Sequence, residues 1–413
     1  MNILILSEMF PNPANPIAGI FVVEQMRALR EQGVNCTVIS PIPWVPPFLR
    51  SSPRMQKYLT APERDQVRGF AVRYPRVPVV PGGRLLALSA FFYYRWCRRA
   101  VRELMQERRI DLIHAHAIVP IGMAAVMLGR EFKVPVVCTV HGSDINVQPW
   151  RSRLSRWATN WALARVDGLF AVSSALKEKI NSLSPAVRVN VLPNGADPDL
   201  FQALPKTEAR SRLSLPQARK IVLFIGNLIP VKNVPVLLKA MAQLPSDTVL
   251  YLVGDGELRE QFRQMASELG IEDRCTFVGR KPHTEIPIWL AAADCVVLPS
   301  QMEGLPTVLP ESMLCRTPVI ASAVGGIPEI VRHEKTGLLL APGDVGGLRA
   351  AIARVLEEAE FARALADSAE QFARQELTWK ANARKTLDVY EILQSRHGNR
   401  DEQPAYCETC GVQ

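Results

Sequence analysis

Two glutamates eight positions apart are the residues of this chain best suited to hold a ligand. In Pro299-Ser-Gln-Met-Glu-Gly-Leu-Pro-Thr-Val-Leu-Pro-Glu, Glu303 sits on a loop punctuated by glycine and proline, and Glu311 falls inside what should be a helix. A carboxylate one turn into a helix can accept both hydroxyls of a vicinal diol such as a ribose. The free N–H groups of the loop and first helical turn, from Gly304 and Leu305 to Thr307 and Val308, form a site for a phosphate. A nucleotide sugar has both features.

These residues need a sheet to position them. The apolar run Cys295–Leu298 reads as a buried parallel strand, residues 300–306 as the loop at its carboxyl end, and 307–316 as the next helix. Ligands of doubly wound sheets sit at that end. Similar β-branched runs recur between amphipathic segments at 3–7, 36–40, 112–117, 136–141, 169–173 and 187–192, and a second set lies at 221–226, 249–254, 275–279, 295–298, 319–321 and 337–340. Each reads as a parallel strand with a crossover helix, so two doubly wound α/β sheets in tandem are expected. The proline-rich stretch 43–83 breaks the pattern and reads as an extended insertion.

At 413 residues the chain exceeds one hydrophobic core. Its eight cysteines include six scattered singly, several inside expected strands, and a Cys407-x-x-Cys410 tail, the usage of a reducing compartment. No charge-free apolar run is long enough to span a bilayer. Met1-Asn-Ile-Leu-Ile-Leu-Ser runs into the first strand without the basic start of a signal peptide. The expected location is therefore cytoplasmic. The net charge of +9 is unevenly divided: residues 1–200 hold 25 Lys and Arg against 14 Asp and Glu, and the remainder 24 against 26. Such a basic half suits an anionic partner, either nucleic acid or a membrane surface. Two basic segments also carry aromatics. Phe91-Phe-Tyr-Tyr-Arg-Trp-Cys-Arg-Arg99 is one, and the other places Trp150, Leu154, Trp157 and Trp161 in one helical stripe flanked by Arg151, Arg153 and Arg156. Core packing and an interfacial surface on the inner face of the cytoplasmic membrane both account for them.

The stretch from Pro299 to Met313, followed by Arg316-Thr-Pro-Val-Ile and Val324-Gly-Gly-Ile-Pro-Glu-Ile-Val, resembles the donor-site signature of glycosyltransferase family 4, retaining enzymes of the GT-B fold. Nearly the whole chain follows that family's order of segments, to Trp379 and Tyr390 near the end. The resemblance implies two Rossmann-like doubly wound domains facing an interdomain cleft. These are an acceptor-side domain over 1–196, a linker over 197–219, a donor domain over 220–376, a helix over 377–395 crossing back, and a disordered tail over 396–413. It implies retaining transfer of a sugar from a nucleotide diphosphate sugar to a saccharide or lipid-linked acceptor. The opening Ser7-Glu-Met-Phe-Pro-Asn-Pro is similar to enzymes of exopolysaccharide or teichuronic-acid assembly.

Residue by residue, the resemblance places Lys232 of Gly226-Asn-Leu-Ile-Pro-Val-Lys232 on the donor diphosphate, where a point charge suits a leaving group that gains negative charge. Asn227 stands where many relatives carry Arg. Glu303 falls on donor-sugar hydroxyls, Glu311 on the ribose, and Gly19 near the phosphates. His141 of Val140-His141-Gly-Ser-Asp144 lies beside the reacting sugar, where the following Gly lets a ligand approach the backbone. His116 of Asp111-Leu-Ile-His114-Ala-His116 is an acceptor-side candidate, with packing as its alternative. The catalytic candidates are thus His141, Lys232 and Glu303.

No metal and no cofactor is expected. Asp197-Pro-Asp199 imitates a metal motif of the other large glycosyltransferase fold, but it follows Pro193-Asn-Gly195 in a structural segment. The two histidines at 114 and 116 lack further ligands at a metal spacing, and the terminal Cys pair lacks a second pair. No carboxylate pair at the separation of a retaining hydrolase can be deduced, so front-face departure and attack, assisted by charge and positioning, is the implied mechanism. Two rivals remain: a nucleotide-sugar epimerase of the same fold, which a donor-only assay would reveal, and a basic nucleic-acid binder. The second accounts for the charge but not for Glu303, Gly304 and Glu311 together, so no nucleic acid is expected.

Overall fold

The computed structural model describes residues 1–12, 15–16, 18–78 and 86–401. The chain divides into two compact units. Unit 1 comprises Met1–Ala171, Lys177–Leu192 and the chain from Ala383 onward, and unit 2 comprises Val172–Leu176 and Pro193–Asn382.

Among the described residues unit 1 holds ten strands: β1 (Asn2–Ser7), β2 (Asn35–Ile39), β3 (Ile42–Pro43), β4 (Arg64–Val67), β5 (Phe70–Arg73), β6 (Arg76–Val77), β7 (Leu112–His116), β8 (Val136–Val140), β9 (Gly168–Ala171) and β10 (Asn190–Val191). Eight form one sheet in the order β10-β9-β8-β7-β1-β2-β5-β4, and β3 pairs with β6. Burial from both faces explains the unbroken apolar sequences: Leu4, Ile5, Leu6, Val137 and Val140 are wholly buried. The order reverses between β1 and β7, both parallel to each other, which defines a switch point at their carboxyl ends.

Unit 2 holds β11 (Lys220–Ile225), β12 (Thr248–Val253), β13 (Cys275–Gly279), β14 (Cys295–Leu298), β15 (Val319–Ser322) and β16 (Leu338–Leu340). They form one parallel sheet in the order β13-β12-β11-β14-β15-β16. Every residue of β14 is buried, as its sequence requires. Its switch point lies between β11 and β14, which pair at Val222 with Cys295 and Leu223 with Val296.

Three segments depart from expectation. The insertion over 43–83 supplies strands: β4 and β5 form an antiparallel hairpin whose turn residues Arg68 and Gly69 both have positive φ, the twist that a two-residue hairpin turn requires. β5 then adds to β2 in parallel, and residues 79–85 lie outside the described residues. The expected linker over 197–219 contains a helix, Lys206–Arg212, whose Ala209 packs on Ala291 and Ala292. Its buried Arg210 is satisfied by the carbonyls of Ala292, Gln217 and Arg219 and by Asp294, the last at 2.8 Å. A charged residue hid this packing face from hydropathy. Finally, the helix Trp379–Asp401 runs through residues 396–401, expected as a disordered tail, and His397 Nε2 reaches the Lys133 carbonyl at 3.2 Å. Cys407 and Cys410 lie outside the described residues.

Candidate active site

The loops that follow β11 and β14 leave the unit 2 switch point as neighbours, tied by the Gln301 N–H donating to the Val231 carbonyl at 2.8 Å. Lys232 ends a single 3-10 turn, Pro230–Lys232. Its ammonium meets Glu303 Oε1 at 2.6 Å, and the Ser300 hydroxyl donates to the same oxygen at 2.7 Å. The two charged side chains are only 16% and 11% exposed, so water screens them far less than a surface pair. Two residues 71 positions apart in sequence thus share one polar centre.

Glycines make this approach possible. A Cβ at Gly325 would lie 2.0 Å from the Glu303 carbonyl oxygen, and φ there is +54°. Gly326 donates its N–H to the Gly304 carbonyl at 2.9 Å, while the Asn194 amide donates to the Leu305 carbonyl at 3.0 Å. The loop is therefore fixed through its backbone, leaving Glu303 free to address Lys232. On the other side, a Cβ at Gly254 would come within 1.9 Å of the Gly226 carbonyl oxygen, a contact that the sequence reading overlooked although Gly254-Asp-Gly256 closes a strand.

Glu311 lies in the short helix Val308–Leu314 and is 7% exposed. Its Oε1 meets His283 Nε2 at 3.0 Å, and the His283 ring stands edge-on to buried Phe201 at 5.2 Å. Neither Ser300 nor His283 was expected. Leu305 and Val308 are buried, Thr307 is half-buried, and Asn227 is exposed on the loop before Lys232. Asp197, expected in a structural segment, accepts from the Asp199 N–H at 2.9 Å.

The remaining candidates belong to unit 1. His114 and His116 point to the same side of β7, as strand alternation requires. Their rings stack at 4.5 Å, and the His116 ring stacks on His141 at 5.3 Å. The Phe21 ring lies tilted against that of His141, with centroids 4.6 Å apart. His114 is held by the Tyr390 hydroxyl at 2.5 Å and the Thr139 hydroxyl at 2.7 Å, and His116 Nδ1 lies 3.1 Å from His141 Nε2. Burial first, with the neighbouring imidazoles adding, pushes His114 down to about 3 and His116 well below the usual histidine range. Burial likewise takes His141 down to about 3. All three rings are neutral at physiological pH. Buried Asp144 orients the loop by accepting the His141 and Gly142 N–H groups at 3.2 and 2.9 Å; burial raises its pKa despite these donors. Gly19 caps the helix Ile20–Glu31 with φ +58°, and a Cβ there would strike the Met9 carbonyl. Among the described residues no three His, Cys, Asp or Glu side chains gather as metal ligands.

Two doubly wound units, each with its candidate residues at the carboxyl ends of parallel strands, define a GT-B type protein. Residues 18–200 match the model of Glycosyltransferase Family 4, and residues 205–372 that of Glycosyl transferases group 1. The chain is 31% identical, over 95% of its length and 99% of the relative's, to the putative teichuronic acid biosynthesis glycosyltransferase TuaC of Bacillus subtilis (strain 168). It is 36% identical to the D-inositol 3-phosphate glycosyltransferase of a Nocardioides species over 68% of this chain and 67% of that one. In structure it resembles sucrose-phosphate synthase from Thermosynechococcus elongatus (TM-score 0.80, 24% identity, 96% and 100% coverage) and Anabaena HepE in complex with UDP-glucose (0.72, 22%, 96% and 100%). The chain belongs to glycosyltransferase family 4 and is a glycosyltransferase.

Gly325→Ala should displace the Glu303 loop and lower turnover at least about tenfold, roughly 1.4 kcal/mol of transition-state stabilisation. Gly343→Ala is the control, because φ there is +85° with nothing within 4 Å. Equal losses in steady-state assays of the two variants would assign the effect to backbone strain instead of the Glu303 contact.

Proposed function

We propose that this enzyme transfers a sugar, with retention, from a nucleoside diphosphate sugar to a saccharide or lipid-linked acceptor in cell-envelope or exopolysaccharide assembly. The observation that carries the reading is the Lys232–Glu303 pair at the unit 2 switch point, with Glu311 on the following helix. An incoming diphosphate competes with Glu303 for the Lys232 ammonium. Freed from that pair, Glu303 can accept hydroxyls of the donor sugar, while Lys232 stabilises the charge that develops on the leaving diphosphate. Glu311 exchanges His283 for the ribose diol. The solved complex of HepE with UDP-glucose supports a nucleotide-sugar donor, and the name of the Bacillus relative supports envelope polysaccharide as the acceptor class. Lys232, not a metal ion, supplies the leaving-group charge in this reading.

Calorimetric titration with UDP tests the site. Glu311→Ala should weaken binding by tenfold or more, since hydrogen bonds to a charged acceptor are worth about 1.5–3 kcal/mol each; unchanged affinity would remove the ribose assignment. Lys232→Met should abolish most turnover while wild-type activity persists in chelator. Loss of that activity in chelator, with recovery on adding a divalent ion, would transfer the charge role to a metal.

The same proposal places the enzyme on the cytoplasmic face of an anionic membrane. The helix Arg153–Leu163 buries Ser155, Ala158, Thr159, Ala162 and Leu163 and leaves Trp161 half-buried, while Trp157 is 53% exposed and Leu154 45%, beside Trp150 at 55%. Arg151, Arg153 and Arg156 are exposed around them. Apolar side chains this large at the surface, ringed by cations, suit a headgroup layer. In the helix Leu86–Glu107, Phe91 and Trp96 are also exposed, but Arg98 and Arg99 are engaged with Glu131 and Glu103. No helix among the described residues is long and apolar enough to cross a membrane. Phosphatidylglycerol vesicles should therefore co-sediment the enzyme and phosphatidylcholine vesicles should not, with Trp150→Ser/Trp157→Ser releasing it. Equal recovery on both vesicle types would leave a soluble acceptor as the better reading.

A further inference from the structure

Glu303 Oε1 has two donors of different kinds. Lys232 reaches it at 2.6 Å from the loop after β11, and Ser300 reaches it at 2.7 Å from within the glutamate's own loop. Among the described residues Glu303 Oε2 accepts no hydrogen bond, and the Ser300 hydroxyl has no second partner. One carboxylate oxygen is thus doubly engaged and the other is open.

The two donors respond differently when a diphosphate arrives. Lys232 carries its ammonium on a flexible four-carbon stem, so it can turn to a new anion while its backbone stays in place. Ser300 cannot follow. It is wholly buried, and a single rotatable bond sets its oxygen. Its loop is also pinned on both sides of Glu303, since the Gln301 N–H donates to the Val231 carbonyl at 2.8 Å and the Gly326 N–H to the Gly304 carbonyl at 2.9 Å. If Glu303 left with Lys232 or swung into solvent, a buried hydroxyl would lose its one partner, with no water to replace it. The serine bond is therefore the one that survives the exchange. We propose that Ser300 is a positioning residue: it keeps hold of Glu303 Oε1 after Lys232 has turned to the diphosphate, so that the carboxylate stays in one orientation with Oε2 left to accept donor-sugar hydroxyls. A hydrogen bond to a charged acceptor is strong enough for this, and it holds with or without nucleotide. The inference rests on the reading of Lys232 as the diphosphate ligand and Glu303 as the sugar ligand.

Crystal structures of the wild-type enzyme and of Ser300→Ala, each with UDP, read the two bonds separately. In the wild-type complex Ser300 Oγ should remain about 2.5–3.0 Å from Glu303 while Lys232 lies on the diphosphate. Glu303 detached from Ser300, with Lys232 on the diphosphate, would overturn this proposal alone. Lys232 still on Glu303 would overturn the reading beneath it and the proposal with it. In the Ser300→Ala complex Glu303 should leave the position it holds in the wild type; an unmoved carboxylate would assign Ser300 to packing. Turnover of Ser300→Ala should fall about tenfold. Its UDP affinity by calorimetry should stay within about threefold of wild type, because the lost bond is present both before and after nucleotide binds and cancels. A loss of UDP affinity as large as the loss of rate would point to a damaged loop and would also return Ser300 to packing.

Discussion

Glycines at 325 and 326 let the turn after β15 press against the carbonyls of Glu303 and Gly304, and the Lys232–Glu303 centre of unit 2 depends on that contact. A side chain at either position would overlap those carbonyls, its Cβ lying 2.0 Å from the Glu303 oxygen or 2.5 Å from that of Gly304. Held there, Glu303 accepts from Ser300 and pairs with Lys232 across the β11–β14 switch point. The pair is withdrawn from water, so removing either charge leaves the other poorly compensated. A diphosphate is the kind of ligand that can take the place of Glu303 on Lys232, because it offers the ammonium a replacement anion.

Unit 1 solves a different problem. Three imidazoles are stacked where charge would be expensive, and burial keeps them neutral. Neutral rings have direction: each donates at one nitrogen and accepts at the other. Tyr390 and Thr139 anchor the buried end. Asp144 serves the same column by fixing the backbone that carries His141.

The twelve strands of the two sheets that were legible in the sequence announced themselves because burial on both faces demands unbroken apolar runs such as Leu4–Leu6 and Cys295–Leu298. The Glu303 and Glu311 spacing, with Lys232 after β11, was readable as a motif. What could not be read was contact between distant elements. His283 looks like an ordinary loop histidine until β13 delivers it to Glu311. The hairpin β4–β5 was masked by prolines around it, and the helix Lys206–Arg212 by a buried arginine whose partners are mostly carbonyls. The stripe of Trp150, Leu154 and Trp157 had the right period for a core face. In the fold it is the outer one, because small residues such as Ala158 and Ala162 allow the opposite face to pack closely.

A crystal structure of the enzyme with UDP tests the central claim, that one ion pair is exchanged for the donor diphosphate. The account requires Lys232 Nζ at hydrogen-bond distance, about 2.7–3.2 Å, from a diphosphate oxygen and separated from Glu303, with Glu311 accepting the ribose hydroxyls in place of His283. A nucleotide bound with the 2.6 Å Lys232–Glu303 contact intact, or with its ribose away from Glu311, would contradict it.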